Sequence, residues 1–139
     1  RLRKTIYQLA DQQENVMTTV DLWLEIEETE RANQAAIDRQ DEFDDIHYTT
    51  LTRWIKQLPD ETHLIRVVIY RSLLNDILEN DRSMAYGHAA RYYKHLVKLD
   101  AFINRSDAGY MGLDYHKNYV DSIQKKYGKK YSFWDRVES

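Results

Sequence analysis

Four glycines and a single proline, Pro59, are spread through 139 residues, so this chain has few cheap places to reverse direction. Strand-based folds turn often, and their turns draw on Gly for positive φ and on Pro for its fixed φ. Long helices need neither. Ala, Leu, Glu, Lys, Gln and Arg are plentiful, and each loses little rotamer freedom in a helix. An apolar content of 42% supports a core, and a charged content of 31% suits solvated helical surfaces. The expectation is an all-α chain, its helical hairpins stacked as a bundle or as a short tetratricopeptide-like solenoid. The length fits one domain over residues 1–139. No exact repeat period is visible, so a regular array is not established.

Apolar periodicity places the helices. Leu2, Ile6, Leu9 and Ala10 open the chain in a helix, and Asp11 to Asn15 read as a turn with Asn15 as N-cap. Val16, Val20, Trp23 and Glu27 share a face, predicting a second helix to about Glu30. Helical propensity continues over Arg31–Arg39, and Gln40–Asp45 reads as a loop or frayed end. Tyr48, Leu51, Trp54, Ile55 and Leu58 mark a helix that Pro59 ends, because proline disfavours the α conformation in the residue before it. Asp60 is expected to cap the next helix. Ile65, Val68, Ile69, Leu73, Ile77 and Leu78 give that helix a wide apolar face and make it the predicted core centre. Asn80–Arg82 is a polar break, with Ser83 as the next cap. Ala85, Ala89, Tyr92, Leu96, Leu99 and Ile103 form a further stripe, and Asn104–Gly112 is the clearest loop. Val120, Ile123 and Tyr127 mark a helix that Gly128 is expected to stop as a left-handed cap. Ser132 opens a last short turn whose Phe133 and Trp134 fold back as a hydrophobic plug.

Cysteine is absent, which excludes a disulfide framework or a thiolate metal site within these residues and fits the cytoplasm. No apolar run approaches the ~18 residues of a membrane span. With no initiator Met and helical periodicity already running at Leu2, the chain is read as a C-terminal fragment of a longer protein. The net charge of −3 hides an asymmetry: residues 1–45 sum to −7 and residues 86–139 to +4. Such a dipole bears on partners, not on fold.

The candidate sites are few. His88, Arg91 and His95 lie at i, i+3 and i+7 and so share a helix face; with Tyr86 and Tyr92 they form a candidate interaction face. The structural alternative is a solvated cluster beside an alanine stripe. Asp44…His47 and Asp60…His63 have carboxylate-x-x-His spacing, but both Asp residues fall where helix starts are expected, and capping is the simpler account. Lys125, Lys126, Lys129, Lys130 and Tyr131 form a basic aromatic tail. Cations interleaved with aromatics suit nucleic acid, yet Lys near a helix C-terminus also offsets the helix dipole. Many of the 11 tyrosines should sit at the core edge, ring buried and hydroxyl wet. No Gly-rich phosphate loop, nucleophile elbow or Ser/His/Asp set occurs, so no catalytic residue, metal or cofactor is expected.

Tyr86-Gly87-His88-Ala89-Ala90-Arg91-Tyr92-Tyr93, then His116 and Tyr119, then Tyr127-Gly128-Lys129-Lys130-Tyr131-Ser132-Phe133-Trp134 follow one another down the chain, with Tyr70-Arg71-Ser72-Leu73-Leu74 upstream. Together they resemble the C-terminal helical region of an uncharacterised bacterial family, a domain of unknown function whose members are sometimes associated with SWIM-type zinc-finger proteins. Leu2-Arg3-Lys4 through Leu9-Ala10-Asp11 is similar to an earlier helix of that family. The likeness lies over residues 61–134 and the first twenty, and is poor between them. It implies tetratricopeptide-like hairpins and no known reaction. The SWIM ligands are Cys and His, so that finger is not within these residues. The expected function is a non-enzymatic helical scaffold that binds another protein or another domain of its own chain. The alternative is a nucleic-acid-associated module using Arg91, Lys94, Lys98 and the basic tail.

Overall fold

The computed structural model of the chain describes Lys4, Thr5, Tyr7, Leu9, residues 15–106 and residues 109–139. Regular structure among the described residues is helical, with no strand, as the glycine and proline scarcity requires. Lys4, Thr5, Tyr7 and Leu9 are helical, whereas Leu2, Ile6, Ala10 and the turn over residues 11–14 lie outside the described residues. No helix among the described residues is long and apolar enough to cross a membrane. The chain divides into two compact units, one ending at Val68 and one beginning at Ile69.

In the first unit, α1 spans Val16–Glu25, and the Asn15 side chain accepts from the Met17 N–H at 2.8 Å, the predicted cap. Val16, Val20 and Trp23 are buried. The expected run to Glu30 is corrected: α1 stops at Glu25, and Glu27 takes a left-handed φ of 59°. The Glu27 N–H then bonds Leu24 O at 3.0 Å and the Glu28 N–H bonds Trp23 O at 2.9 Å, closing two orphan carbonyls. Glycine usually marks this cap, and here a glutamate holds it. Helix α2, Thr29–Asp38, buries Ala32 and Ala36 completely.

Gln40–Asp45 is not a frayed loop but a 3₁₀ helix, ordered because Phe43 is fully buried and stacks 6.0 Å from Trp54. The Trp54 Nε1–H donates to Asp21 Oδ1 at 2.9 Å. Helix α3, Tyr48–Ile55, buries Leu51, Trp54 and Ile55, while Tyr48 stays exposed. Its cap is the His47 ring nitrogen, which accepts from the Thr49 N–H at 3.3 Å, so Asp44 does not cap it. Nor does Asp60 cap α4, which begins three residues later and spans His63–Glu79. The Ile65 N–H in its first turn is instead taken by buried Asn33 Oδ1 at 3.4 Å, a partner 32 residues away in sequence. Helix α4 is apolar on more than one face. Leu64, Val67 and Leu74 are buried along with the predicted Ile65, Val68, Ile69, Leu73, Ile77 and Leu78, as in a core helix.

The second unit holds α4 from Ile69 onward. Asp81, at φ 52°, ends that helix through the Arg82 N–H bond to Ile77 O at 3.1 Å. Ser83 does not cap the next helix. It opens a 3₁₀ turn, Ser83–Ala85, and α5 spans Tyr86–Ile103 with no side-chain cap. Ala89, Leu96, Leu99 and Ile103 are buried as the stripe predicts. The following loop bends through Gly109, Met111 and Gly112, all at positive φ, and buries Tyr110 and Leu113. Helix α6, His116–Tyr127, ends at Gly128, but not through a left-handed cap: Gly128 is right-handed helical at φ −59°. Glycine is required there because a Cβ would sit 2.4 Å from the Gln124 carbonyl oxygen. The last element is a helix rather than a turn, α7 over Tyr131–Glu138, opened by Tyr131 and not Ser132. Phe133 is fully buried against Tyr86 and Tyr93, and the half-buried Trp134 donates from Nε1 to Tyr127 O at 3.0 Å. The aromatic pair therefore docks.

Candidate functional site

The second unit carries two polar arrays, one buried around a single arginine and one exposed and rich in cations. The buried array centres on Arg71, which the apolar run of α4 carries into the core at 7% exposure. Its Nη2 donates to Asp114 O at 2.8 Å, its guanidinium lies 4.6 Å over the Tyr119 ring, and its Nε has no partner. Tyr119 in turn donates to Asn75 Oδ1 at 2.7 Å, and Tyr110 to Asp100 Oδ1 at 2.5 Å. Burial lowers the Arg71 pKa, opposed by the fields of Tyr119, Tyr110, Asp114 and Asp100. Burial, with Asp100 beside it, drives the Tyr110 phenol well above its usual range. Burial also lowers His116, with Asp100 opposing. This centre joins α4 to the loop before α6 and to α6 itself. Its guanidinium is walled from water, so it positions rather than recognises. An arginine inside Val67-Val68-Ile69-Tyr70-Arg71-Ser72-Leu73-Leu74 was the sequence signal, and periodicity alone passed over it.

The exposed array is α5. Its five predicted interaction residues do not share one face. Tyr86 is buried, edge-on to Phe133 at 6.1 Å, and Tyr92 turns partly inward against Tyr70 at 5.7 Å. His95 is exposed and stacks on Tyr70 at 4.8 Å. His88 and Arg91 are exposed and bonded to each other; because a guanidinium only donates, His88 Nδ1 accepts. Around them, Lys94, Val97, Lys98 and Phe102 are exposed too. The exposed half of α5 thus presents Arg91, Lys94 and Lys98 with two histidines and two apolar side chains, and no carboxylate. Asp100, the sole acid of α5, is half-buried and bonded to Tyr110. At 1.5 Å per residue the helix makes a ridge about 27 Å long.

The basic tail is split in the same way. Lys126 pairs with Glu79 at 3.3 Å, and Lys130 pairs with Asp81 while lying 6.0 Å from the Tyr127 ring centre. The Tyr127 hydroxyl and Lys126 hold the Glu79 carboxyl below its ordinary value. Lys125, Lys129 and Tyr131 remain exposed beside an open groove between Asp81 and Ser132.

With this geometry in hand, comparison with known families matches DUF6880, a family of unknown function, to residues 3–136. The chain belongs to the DUF6880 family. The matched residues include the middle of the chain. No curated protein and no solved structure matches the chain. No group of three or more metal-ligating side chains occurs among the described residues of this DUF6880 protein. The Asp44…His47 spacing is accounted for by the His47 cap on α3, and Asp60 lies in the turn before α4.

Proposed function

We propose that this DUF6880 chain is a binding module rather than a catalyst: a helical scaffold that docks another protein, or another segment of its own chain, on the exposed half of α5. Its tetratricopeptide-like character and its placement in the cytoplasm belong to the same proposal. The observation that carries it is the acid-free ridge of Arg91, Lys94 and Lys98, interleaved with Val97 and Phe102. Cations without local counter-charges steer an acidic partner and reject a basic one, while apolar neighbours supply the desolvation that holds it. The net charge of −3 repels an extended polyanion at long range, whereas a short acidic segment meets only the ridge. Nucleic acid is the second reading, favoured by the same cations together with exposed Lys125 and Lys129. It is weakened because Lys126 and Lys130 already hold internal acids.

The test is fluorescence anisotropy with a labelled Glu- and Leu-rich peptide, run beside a duplex DNA of equal charge. Wild type is expected to bind the peptide more tightly. Reversing Arg91, Lys94 and Lys98 to Glu is expected to weaken it at least tenfold while the circular dichroism is unchanged. A triple variant that binds the peptide as wild type does removes the ridge from consideration, and tighter binding of DNA hands the case to the second reading.

A further inference from the structure

At its N-terminal end the ridge meets α7. Met84, Gly87, His88, Arg91 and Arg136 line one small open depression there. None of the five is acidic. The two guanidinium groups come from different helices. Arg91 is bonded to His88 Nδ1. Arg136 rides on α7, which Phe133 anchors in the core, and its Nη1 lies over Gly87, 3.3 Å from where a Cβ would stand. Glycine at position 87 therefore leaves the floor of the depression open to the arginine. Neither arginine has an ion-pair partner among the described residues.

Two positive groups that share a depression repel each other, and an anion placed between them turns that repulsion into two attractions. A carboxylate has two oxygens and one charge, enough for one guanidinium fork. A phosphate monoester carries about −1.5 to −2 charges at pH 7 and three strong acceptor oxygens, enough to bridge two. A phosphodiester offers one charge and two free oxygens. Beside the cations stands Met84, fully solvated at 101% relative exposure, a flexible thioether that adapts to an apolar neighbour.

We propose that this depression receives the phosphoryl group of a phosphoserine or phosphothreonine in a partner protein, with Met84 against an apolar side chain next to it. The proposal rests on the reading of α5 as a docking ridge and gives that ridge a specific end.

The experiment compares three peptide libraries with random flanks and a fixed central residue: phosphothreonine, threonine or glutamate. Wild type is expected to retain the phosphothreonine library at least tenfold better than the other two and to enrich apolar residues next to the phosphorylated position. Arg91→Gln and Arg136→Gln are each expected to erase that preference, while Lys98→Gln weakens all three libraries and preserves it. Titration with phenyl phosphate, followed on the Arg Nε–H resonances, is expected to move Arg91 and Arg136 and not Arg66. Equal retention of the phosphothreonine and glutamate libraries overturns the phosphoryl site but leaves the acidic ridge standing. Failure to retain any library overturns both readings. A single-stranded oligonucleotide that competes as well as the phosphopeptides overturns the protein partner.

Discussion

Arg71 and Arg91 bear the same guanidinium in the same unit, and their surroundings give them opposite roles. Arg71 is enclosed, donates to a backbone carbonyl, lies over a tyrosine ring, and feels the Asp114 and Asp100 carboxylates through their fields. Arg91 is open to water, touches one histidine, and lies on a surface cleared of acids. A buried charge is committed to its own fold, since any rearrangement exposes the cost of desolvation. A solvated charge contributes little to stability and is available to a partner. The contrast is that stability should be sensitive at the first site and binding at the second.

The largest expected effect falls on the element that links the two properties. Phe133→Ala should cost about 3–5 kcal/mol in urea unfolding, the usual range for emptying a packed aromatic site. It should also weaken phosphopeptide retention, because α7 carries Arg136. Trp134→Ala should cost less, since Trp134 is only half-buried. Unchanged stability in Phe133→Ala would mean that α7 is not docked and that Arg136 has no fixed seat.

Next comes the centre itself. Arg71→Ala should cost roughly 2–3 kcal/mol, combining a lost charged hydrogen bond with a void. Arg71→Met, which fills the space without the charge, should recover most of that loss, because apolar replacements of buried ions are often neutral. Both variants should bind the acidic peptide as wild type does. A binding defect in Arg71→Met with normal stability would move Arg71 from the folding column to the recognition surface and break the contrast.

A smaller effect follows pH. Burial holds His116 below the ordinary histidine value of 6.5, so below that pH the unfolded chain takes up more protons than the folded one. Its contribution is complete above 6.5, declines as pH falls through that value, and levels off below the folded pKa. His116→Gln should flatten the melting temperature between pH 6.5 and 5 relative to wild type, with Asp100, Arg71 and Tyr93 still around the position. An identical pH profile in the variant would show that His116 is not desolvated. Smallest of all, Lys94→Ala and Lys98→Ala should change stability by less than about 0.5 kcal/mol, as ordinary surface substitutions do. A measurable loss would mean that the ridge is already occupied by the chain itself.

Elements whose cause is local were legible in the sequence. The Asn15 cap, the apolar run of α4 and the paired aromatics Phe133 and Trp134 each state their role within a few residues. Features that depend on distant partners were not. The first turn of α4 is capped by Asn33 from α2, and Gln40–Asp45 is ordered by burial of Phe43 against Trp54. Neither is visible in a window of ten residues. The helix break at Glu27 was hidden for another reason, since a left-handed glutamate looks like any other helix-forming residue. At the candidate site, His88 and Arg91 were found because they share a period of three to four, and Tyr86 and Tyr92 were drawn in by chemistry although their positions turn them inward. Arg136 was missed because its place beside Gly87 depends on α7 folding back.

Glu27 and Asp81 hold left-handed positions that cost an L-residue about 1 kcal/mol or more and that glycine occupies freely. The two are not equivalent to an engineer of thermostability. The Glu27 side chain is exposed, so Glu27→Gly trades strain against a looser unfolded chain and offers a route to higher melting temperature. Asp81 uses its carboxylate to hold Lys130 at the entrance to α7. Removing that side chain would relax one turn and loosen the mooring of the C-terminal helix, so laboratory evolution for heat resistance should accept glycine at 27 sooner than at 81.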